Sequence, residues 1–496
     1  MDAVLQAMAM LCTIENIFLL LAGTAVGIFI GAMPGLSVNM GLALLFPVTF
    51  SVGGIGGIVM LLGIYCGAIY GGSITAILLR TPGTPASAAT ALDGYPLAIT
   101  KRQPGRALSI STTASLFGGV FSTFCLVLFA PMLAKIALQF SKPEYFALAI
   151  FGISMITSVS NGSILKGIIG CLIGLFIATI GLDAMSGMER FTLGTLYLSG
   201  GISFMPILIG LFALTQVFVN VEDNFKQQQV KQKLKIDSVL PSWSDFKLTF
   251  STLIRSSCIG TFIGCVPGTG GDISSWISYD QAKRWAKDKS NFGKGDPRGI
   301  AASESGNNAI VGGAFIPVLT LGIPGDGATA IILGALMVHG MQPGPLLFVD
   351  HAPDVYAIFL GMMAANIAMG LMGYSLIRIF VKVVNVPRVY LLPIITVMAV
   401  LGTYSYNNSM NDVMVMLASG VIGYFMYKTG MTVPGIIIGI ILGSLAEQNF
   451  TGSLLMSDGS LSIFFTNPIC AVFLILSLIS LLSPLYKGAI GKMLRS

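Results

Sequence analysis

Charged side chains are scarce in this sequence. Asp, Glu, Lys and Arg make up only 10% of its 496 residues, whereas roughly a quarter is usual in soluble proteins. This scarcity excludes a water-soluble globular protein. Several long stretches carry no charged residue at all. They are Asn16 to Leu79, 107–134, 145–165, 191–221, 355–377, 389–411 and 459–486.

Each charge-free stretch is long enough to cross a bilayer. A hydrocarbon core about 30 Å thick needs about 20 apolar residues per helix, because the backbone must satisfy its own hydrogen bonds in lipid. Hydrophobic residues make up 54% of the chain. We therefore predict an all-α polytopic membrane protein with roughly 10 to 14 membrane segments.

Histidine and paired cysteine are also scarce. The chain has two histidines, and its seven cysteines are scattered through apolar segments without a C-x-x-C pair. This pattern argues against a zinc site or a disulfide framework, and we expect no cofactor other than a coupling ion. The formal charge of +6 comes from basic residues in short loops between apolar runs. Such loops are typical of the cytoplasmic face of a membrane protein, so we expect no nucleic-acid partner.

The sequence contains an internal repeat. Residues 27–35, GIFIGAMPG, align without a gap with residues 260–268, GTFIGCVPG. A second pair follows, in which TPGTPA at 81–86 aligns with IPGDGA at 323–328. We predict four regions, which are a first membrane repeat at 1–222, a polar cytoplasmic linker at 223–247, a second membrane repeat at 248–430 and C-terminal membrane helices at 431–496.

Loop charges indicate that the two repeats have opposite orientations. After the second motif, the first repeat carries three basic residues at 101–106, whereas the second carries Asp350, His351 and Asp354. After the first motif the bias reverses, because 40–79 is uncharged and 283–298 holds six Lys or Arg residues. Basic loops mark the cytoplasmic side, so this pattern predicts an inverted repeat.

Four Pro-Gly pairs interrupt apolar runs at repeat-related positions. Proline removes a backbone donor and glycine adds backbone freedom, so each pair should break a helix. Broken or re-entrant helices are tolerated in a membrane only where they line a cavity or pack inside protein, which points to a central binding site. The glycine stripes upstream also suit close helix packing, and both interpretations can hold together.

The residues after each break predict new helix N-termini. The repeat alignment pairs Asn39 with Asp272 and Thr84 with Asp326, and all four are good N-cap residue types. A helix N-terminus attracts anions through its free amides and dipole. An anionic substrate is therefore expected at the hairpin tips.

These considerations give a set of candidate site residues. The predicted substrate-binding residues are Pro34, Gly35, Ser37, Asn39, Arg80, Thr81, Pro82, Gly83, Thr84, Gly268, Thr269, Gly270, Asn307, Asn308, Pro324 and Gly325. Arg80 could clamp a carboxylate or extend to lipid headgroups. Asp272 and Asp326 could be plain caps or could bind a coupling sodium ion or proton. Glu304 could be a solvated loop acid.

Seven motifs in order over 31–345 resemble those of the large membrane subunit of the tripartite tricarboxylate transporters. They are Gly31–Ser37, Tyr70–Ser73 with Arg80–Pro85, Leu92–Pro96, Phe292–Gly295, Asn307-Asn308, Leu321–Gly325 and His339–Pro345. The resemblance implies a multi-pass permease of the bacterial inner membrane that imports tricarboxylates or related organic carboxylates. It also implies a small membrane subunit, a periplasmic substrate-binding receptor and symport with a cation.

Two other functions remain open from the sequence. One is a stand-alone secondary transporter or a channel for organic anions, since no residue excludes independence from a receptor. The other, more remote, is an intramembrane aspartyl protease. Tyr279-Asp280 and Gly325-Asp326 partly resemble the two acid motifs of that family. The pattern is incomplete, since that family needs Gly-x-Gly-Asp and Ile323 occupies the first glycine position.

Overall fold

The protein is helical almost throughout. The computed structural model describes residues 2–33, 36–155, 164–183, 185–223, 242–267, 270–379, 388–431 and 433–493. Within these ranges the strands are a two-residue antiparallel pair, β1 (Gly181–Leu182) and β2 (Glu189–Arg190). The predicted all-α class is confirmed.

Twelve α-helices are described between residues 2 and 223. They are α1 (Asp2–Leu11), α2 (Ile14–Gly31), α3 (Val38–Leu45), α4 (Val48–Val52), α5 (Gly54–Leu79), α6 (Ala91–Tyr95), α7 (Pro104–Ala137), α8 (Lys142–Ser154), α9 (Ile164–Ala178), α10 (Leu196–Ser199), α11 (Phe204–Leu208) and α12 (Thr215–Asp223). A 3₁₀ turn at Pro85–Ser87 and π-helical turns at Pro96–Thr100 and Ile209–Leu214 complete this part.

Eleven more α-helices are described from residue 242 onward. They are α13 (Trp243–Cys265), α14 (Gly271–Trp285), α15 (Pro297–Leu321), α16 (Gly327–Val338), α17 (Leu347–Asp350), α18 (Ala352–Ser375), α19 (Arg388–Asn407), α20 (Met410–Thr429), α21 (Val433–Met456), α22 (Ile463–Thr466) and α23 (Pro468–Met493). Of the predicted linker, 224–241 lies outside the described residues and 243–247 is already helical.

Many of the helices are long and apolar enough to cross a membrane. In the described part of the chain there are eight, Ile14–Gly31, Gly54–Leu79, Pro104–Ala137, Phe204–Glu222, Trp243–Cys265, Ala352–Ser375, Met410–Thr429 and Val433–Met456. At 1.5 Å per residue the 26-residue helix α5 is about 39 Å long. Four shorter apolar helices, Asp2–Leu11, Leu165–Ala178, Gly327–Val338 and Pro468–Leu481, would bring the number of segments into the predicted range. The chain is therefore a polytopic membrane protein.

The chain forms two compact units, each assembled from two separated stretches. The first unit holds residues 1–134 and 212–409, and the second holds 135–211 and 410–496. The predicted repeat boundaries at 222 and 430 are a different division and stay a prediction, as does the inverted orientation.

Glycine stripes bring two helix pairs of the first unit into close contact. A Cβ added at Gly23, Gly27 or Gly31 of α2 would overlap backbone atoms of α5, and one at Gly260 of α13 would overlap backbone atoms of α15. Only glycine lets two backbones approach so closely. The packing interpretation of the stripes is thus confirmed for α2 against α5 and for α13 against α15.

The second unit also has close helix packing at glycine residues, together with a cluster of aromatic rings. Gly174 of α9 and Gly439 of α21 leave no room for a Cβ against each other's helix. Three phenylalanines, Phe146, Phe450 and Phe464, form a cluster with ring centroids 4.8–5.7 Å apart. These contacts hold α8, α21 and α22 together within this unit.

Candidate functional site

The helices that precede the four Pro-Gly pairs all end before they reach the proline. The preceding helices end at Gly31, Leu79, Cys265 and Leu321, in each case two or three residues before the proline. In a membrane, the backbone groups that these breaks release need partners inside the protein. The predicted breaks are confirmed, and all four fall in the first compact unit.

The two long helices that precede the second break in each repeat end alike. Arg80, which follows α5, is left-handed with φ 57°, and its repeat counterpart Gly322, which follows α15, has φ 68°. Glycine adopts this conformation without cost, but an arginine does so only against a steric penalty. The Arg80 side chain is exposed, and its guanidinium lies 5.9 Å from the ring centroid of Tyr95. Its predicted contact with substrate stays a prediction.

One of the four predicted N-caps is confirmed in full. Asp326 begins α16 with a capping box, in which its carboxylate accepts from the backbone N–H of Thr329 at 2.8 Å and its own N–H donates to the Thr329 hydroxyl at 2.9 Å. The second carboxylate oxygen accepts a hydrogen bond from the Tyr65 hydroxyl of α5 at 3.0 Å. The cap of α16 is thereby joined to the first repeat.

Two of the other predicted caps are wrong. Ser37, not Asn39, caps α3, because its hydroxyl accepts from the N–H of Met40 at 3.1 Å. Gly270 occupies the cap position of α14, which places Asp272 in the first helical turn. Thr84 does occupy the N-cap position, with Pro85 following it, but the element is a three-residue 3₁₀ turn and the Thr84 side chain makes no capping hydrogen bond there. The N-cap is the residue just before the first helical residue. For α3 and α14 the sequence pattern predicted its position with an error of two residues.

Asn307 marks the place where α14, α15 and the 3₁₀ turn at Pro85–Ser87 converge. It lies in the middle of α15 and is fully buried. A Cβ built on Gly271, the first residue of α14, would lie 2.5 Å from Oδ1 of Asn307 and 3.1 Å from Cβ of Ala86 in the first repeat. The start of α14, the centre of α15 and the 3₁₀ turn of the first repeat therefore meet around one amide.

The Asn307 amide has no protein partner in the described part of the chain. Neither its Oδ1 nor its Nδ2 makes a hydrogen bond there, although both are buried. The hydroxyl of Ser278 on α14, close to Gly306, is likewise buried and unpaired among the residues described. Ser257 Oγ, Asn308 Oδ1 and Asn366 Oδ1 are also buried and unpaired among the described residues of this unit, but Asn307 is the residue there with both polar side-chain atoms unpaired. Buried polar groups are almost always hydrogen-bonded, so Asn307 is the strongest structural mark of a ligand site in this unit.

A second convergence lies at the start of α16. A Cβ built on Gly327 would lie 2.5 Å from Nδ2 of Asn39 on α3. Asn39 therefore belongs near the fourth break, although it is not a cap. The buried Pro324 and Gly325 form this break, and a Cβ on Gly325 would lie 2.7 Å from Cβ of Ala314 on α15.

The remaining candidate residues divide into three groups. Thr81 and Pro82 are exposed, whereas Gly83 and Thr84 are buried. Asn308 is buried and donates from Nδ2 to the Ser115 hydroxyl and to the Glu304 carbonyl, at 2.9 and 3.0 Å. Pro34, Gly35, Gly268 and Thr269 lie outside the described residues.

Sequence reasoning missed Glu304. It is not a solvated loop acid, because it lies in α15 with no exposed surface. Its carboxylate accepts hydrogen bonds from the hydroxyls of Thr90 and Ser115. The only signal in the sequence is its position one helical turn before Asn307 and Asn308.

Asp93 connects two of the sequence motifs outside the long apolar helices. Its Oδ1 accepts hydrogen bonds from the backbone N–H groups of Gly293, Gly295 and Asp296, each at 2.8 Å, and its Oδ2 accepts from the Tyr279 hydroxyl at 2.8 Å. Burial raises the pKa of Asp93, and these four hydrogen bonds oppose that rise. The motif at 92–96 is thus anchored in the glycine loop at 292–295.

Comparison with known proteins gives one family. The model of the tripartite tricarboxylate transporter TctA family matches residues 17–438. An Agrobacterium vitis protein described as an uncharacterized 52.8 kDa protein in the TAR-I ttuC' 3' region is 36% identical over 466 residues, which cover 93% of this chain and 92% of the relative. Another from the same organism, described as an uncharacterized protein in the TAR-II ttuC' 3' region, is 34% identical over 233 residues, 47% of this chain and 96% of the relative. No solved structure matches this chain.

Proposed function

This chain belongs to the tripartite tricarboxylate transporter TctA family, and on that premise we propose that it is the permease subunit of a receptor-dependent secondary transporter. It is a multi-pass membrane protein and a component of a tricarboxylate transporter. In our proposal it imports tricarboxylates or related organic carboxylates across the bacterial inner membrane by cation symport. Its partners are a small membrane subunit and a periplasmic substrate-binding receptor, in keeping with a tripartite family.

The observation that carries the proposal is the unpaired, buried amide of Asn307 beside the start of α14. Gly270 caps α14 without a side-chain hydrogen bond, and the carboxylate of Asp272 lies beside it, since a Cβ on Gly270 would be 3.0 Å from Asp272 Oδ1. An anion bound at this end of the 15-residue helix would share its dipole with Asp272. Asn307 Nδ2 could donate to the same carboxylate. The α16 N-terminus is a poorer anion site, because the carboxylate of Asp326 already occupies it.

We also propose a cation site in this unit. Asp272 lies in the first turn of α14 and is partly buried, while both carboxylate oxygens of Asp326 are engaged by Thr329 and Tyr65. Asp272 is therefore the freer ligand for a sodium ion or a proton. An anionic substrate and a cation bound close together would neutralise each other, which favours symport over transport of the anion alone.

Transport by the full chain in proteoliposomes tests this function. Internal unlabelled carboxylate should drive counterflow of labelled di- or tricarboxylate, and the receptor and the small subunit should increase uptake. Gly271→Ala places a methyl group within 2.5 Å of Asn307 Oδ1 and should lower uptake strongly. Gly200→Ala is the matched control, because the nearest atom to its new methyl group lies 3.8 Å away. Absence of counterflow with every carboxylate, in protein that is folded and correctly inserted, would overturn the proposal.

The same experiment separates the alternatives. A stand-alone transporter would show full uptake without the receptor, and a channel would show no counterflow at all. The aspartyl protease is the weakest alternative, because Asp280 is exposed and forms an ion pair with Arg284 at 2.7 Å. Proteolysis within a membrane would instead need two acids facing each other in a shielded site.

A further inference from the structure

Glu304 is a buried acid that the proposed site does not use. We propose that its carboxylate is a proton-binding site of this transporter, loaded and unloaded during transport, so that the coupling ion is a proton. The inference rests on the proposed function, since it names the ion that would drive that transport. Its grounds are the position of Glu304 in the fold, the groups around it and its distance from Asn307.

The surroundings of Glu304 come from three separate elements. Thr90, just before α6, donates its hydroxyl proton to Oε1 at 2.5 Å, and Ser115 of α7 donates to Oε2 at 3.0 Å. Thr90 also shares a hydrogen bond of 2.9 Å with Ser303 of α15. The carboxylate therefore joins α15 of the second repeat to two elements of the first.

No cation balances this carboxylate within the described ranges. The ion pairs found there involve other acids, and none includes Glu304. A buried carboxylate without a positive partner is costly in its charged form, more so in a membrane protein. A neutral amide side chain could link α15 to its neighbours without the cost of a buried charge. The presence of a carboxyl group at this position therefore indicates a functional role.

Both protonation states of Glu304 can be satisfied in place. When it is charged, the hydroxyls of Thr90 and Ser115 donate to its two oxygens. When it is neutral, its own O–H can donate to one of them, because a hydroxyl can accept as well as donate. The carboxylate oxygens already receive O–H donors, whereas a metal ion would need a shell of oxygen lone pairs. The arrangement fits a proton better than sodium.

Few titratable groups face Glu304. Tyr70 of α5 is close enough to interact with Glu304 electrostatically. Its hydroxyl shares a hydrogen bond with the Thr112 hydroxyl. Asp93 and Tyr279 bond to each other near Gly299, an earlier turn of α15. On α13, Asp245 pairs with Arg106, and Arg255 stacks over Trp285.

Helix α14, which packs against α15, carries Asp272 in its first turn and Asp280, Lys283 and Arg284 towards its end. The other neighbouring elements add little charge. The run 107–134 of α7, the turn at 85–87 and helix α16 contain no Asp, Glu, Lys or Arg.

Asp93, Asp245 and Asp296 are also buried acids near α15, but backbone N–H groups or an arginine bind each of them. The described partners of the Glu304 carboxylate are two hydroxyls. A proton on it changes the local charge from −1 to 0.

The proton site and the candidate substrate site share one helix. Glu304 and Asn307 are three residues apart on α15, which corresponds to about 4.5 Å along its axis. Asn308 connects them further, since its amide donates both to Ser115 and to the carbonyl of Glu304. A proton taken up from the outer solution would bind as the substrate enters, and it would leave to the inner solution when the substrate leaves.

Two measurements on the full chain test the proposal. Infrared spectra of the reconstituted protein, recorded against pH, should show a C=O stretch of a protonated buried acid that is absent from the Glu304→Gln variant. In proteoliposomes, Glu304→Gln should retain carboxylate counterflow. Its uptake driven by a pH gradient should fall by about tenfold or more. Glu15→Gln makes the same chemical change at an exposed position and should alter neither result.

A second variant covers the case in which Glu304→Gln fails to fold. Ser115→Ala removes one donor to the carboxylate, so the neutral acid is favoured and the midpoint of its band should move upward by about one to two pH units. The proposal is overturned if Glu304→Gln keeps the band or the full uptake driven by the pH gradient, or if Ser115→Ala leaves the midpoint unchanged. Absence of counterflow in the unmodified protein would instead contradict the proposed function. The infrared experiment would still show whether Glu304 binds a proton, because it does not depend on transport.

Discussion

Replacing Asn307 by leucine should stabilise the protein and at the same time weaken carboxylate binding. Both amide atoms of Asn307 are buried without a hydrogen-bond partner among the described residues, and such burial costs about 1–3 kcal/mol. Leucine has a similar volume, so the change leaves no large cavity. The thermal midpoint of the substrate-free protein should therefore rise.

Binding should change in the opposite direction. A hydrogen bond to a charged carboxylate contributes about 1.5–3 kcal/mol, so its loss should raise the dissociation constant about ten- to a hundredfold. The assay is carboxylate binding by the purified full chain in nanodiscs, with the thermal midpoint recorded on the same samples. Opposite signs of the two effects would separate a ligand-binding amide from a structural one.

The adjacent asparagine provides the matched control. Asn308 donates hydrogen bonds at 2.9 and 3.0 Å to Ser115 and to the Glu304 carbonyl, so Asn308→Leu should destabilise the protein by about 1–3 kcal/mol. Equal destabilisation by the two variants would mean that Asn307 is paired after all. An unchanged dissociation constant in Asn307→Leu would refute the assignment of the site.

Three further predictions concern other parts of the chain. If Arg80 binds a substrate carboxylate through both nitrogens of its fork, Arg80→Lys should weaken binding nearly as much as Arg80→Ala, by about ten- to a hundredfold; equal dissociation constants in all three proteins would reject the contact. Asp93→Ala leaves three backbone N–H groups and the Tyr279 hydroxyl without their acceptor and should cost about 3 kcal/mol or more, measured as a lower thermal midpoint; an unchanged midpoint would show that the 292–295 loop needs no anchor. For the inverted repeat, cysteines placed at 102 and 287 should both be labelled from the cytoplasm, and labelling of 287 from the periplasm alone would disprove the topology.

Much of the architecture was predictable from local sequence. Uncharged runs identify membrane helices, because lipid tolerates neither charge nor an unsatisfied backbone. The Pro-Gly pairs located all four breaks, since proline and glycine act on the backbone wherever they stand. The glycine stripes likewise predicted close packing, although the sequence did not say which helices would meet. Cap positions were less predictable, as Asn39 and Asp272 show, because neighbouring polar residues compete for the same role.

The centre of the site depended on contacts between distant parts of the chain. Glu304 is an acid in a polar stretch of sequence, and it is buried only because Thr90 and Ser115, 214 and 189 residues away, are brought against it. Asn307 differs from Asn308 for the same reason, since one faces the start of α14 while the other faces α7. Adjacent residues on a helix point in directions about 100° apart. The packed neighbours therefore give partners to Nδ2 of Asn308, whereas Oδ1 of Asn308 and both amide atoms of Asn307 have none among the described residues. The sequence alone therefore determined the membrane class and the breaks, whereas the tertiary structure decided which polar groups are left for a substrate and a proton.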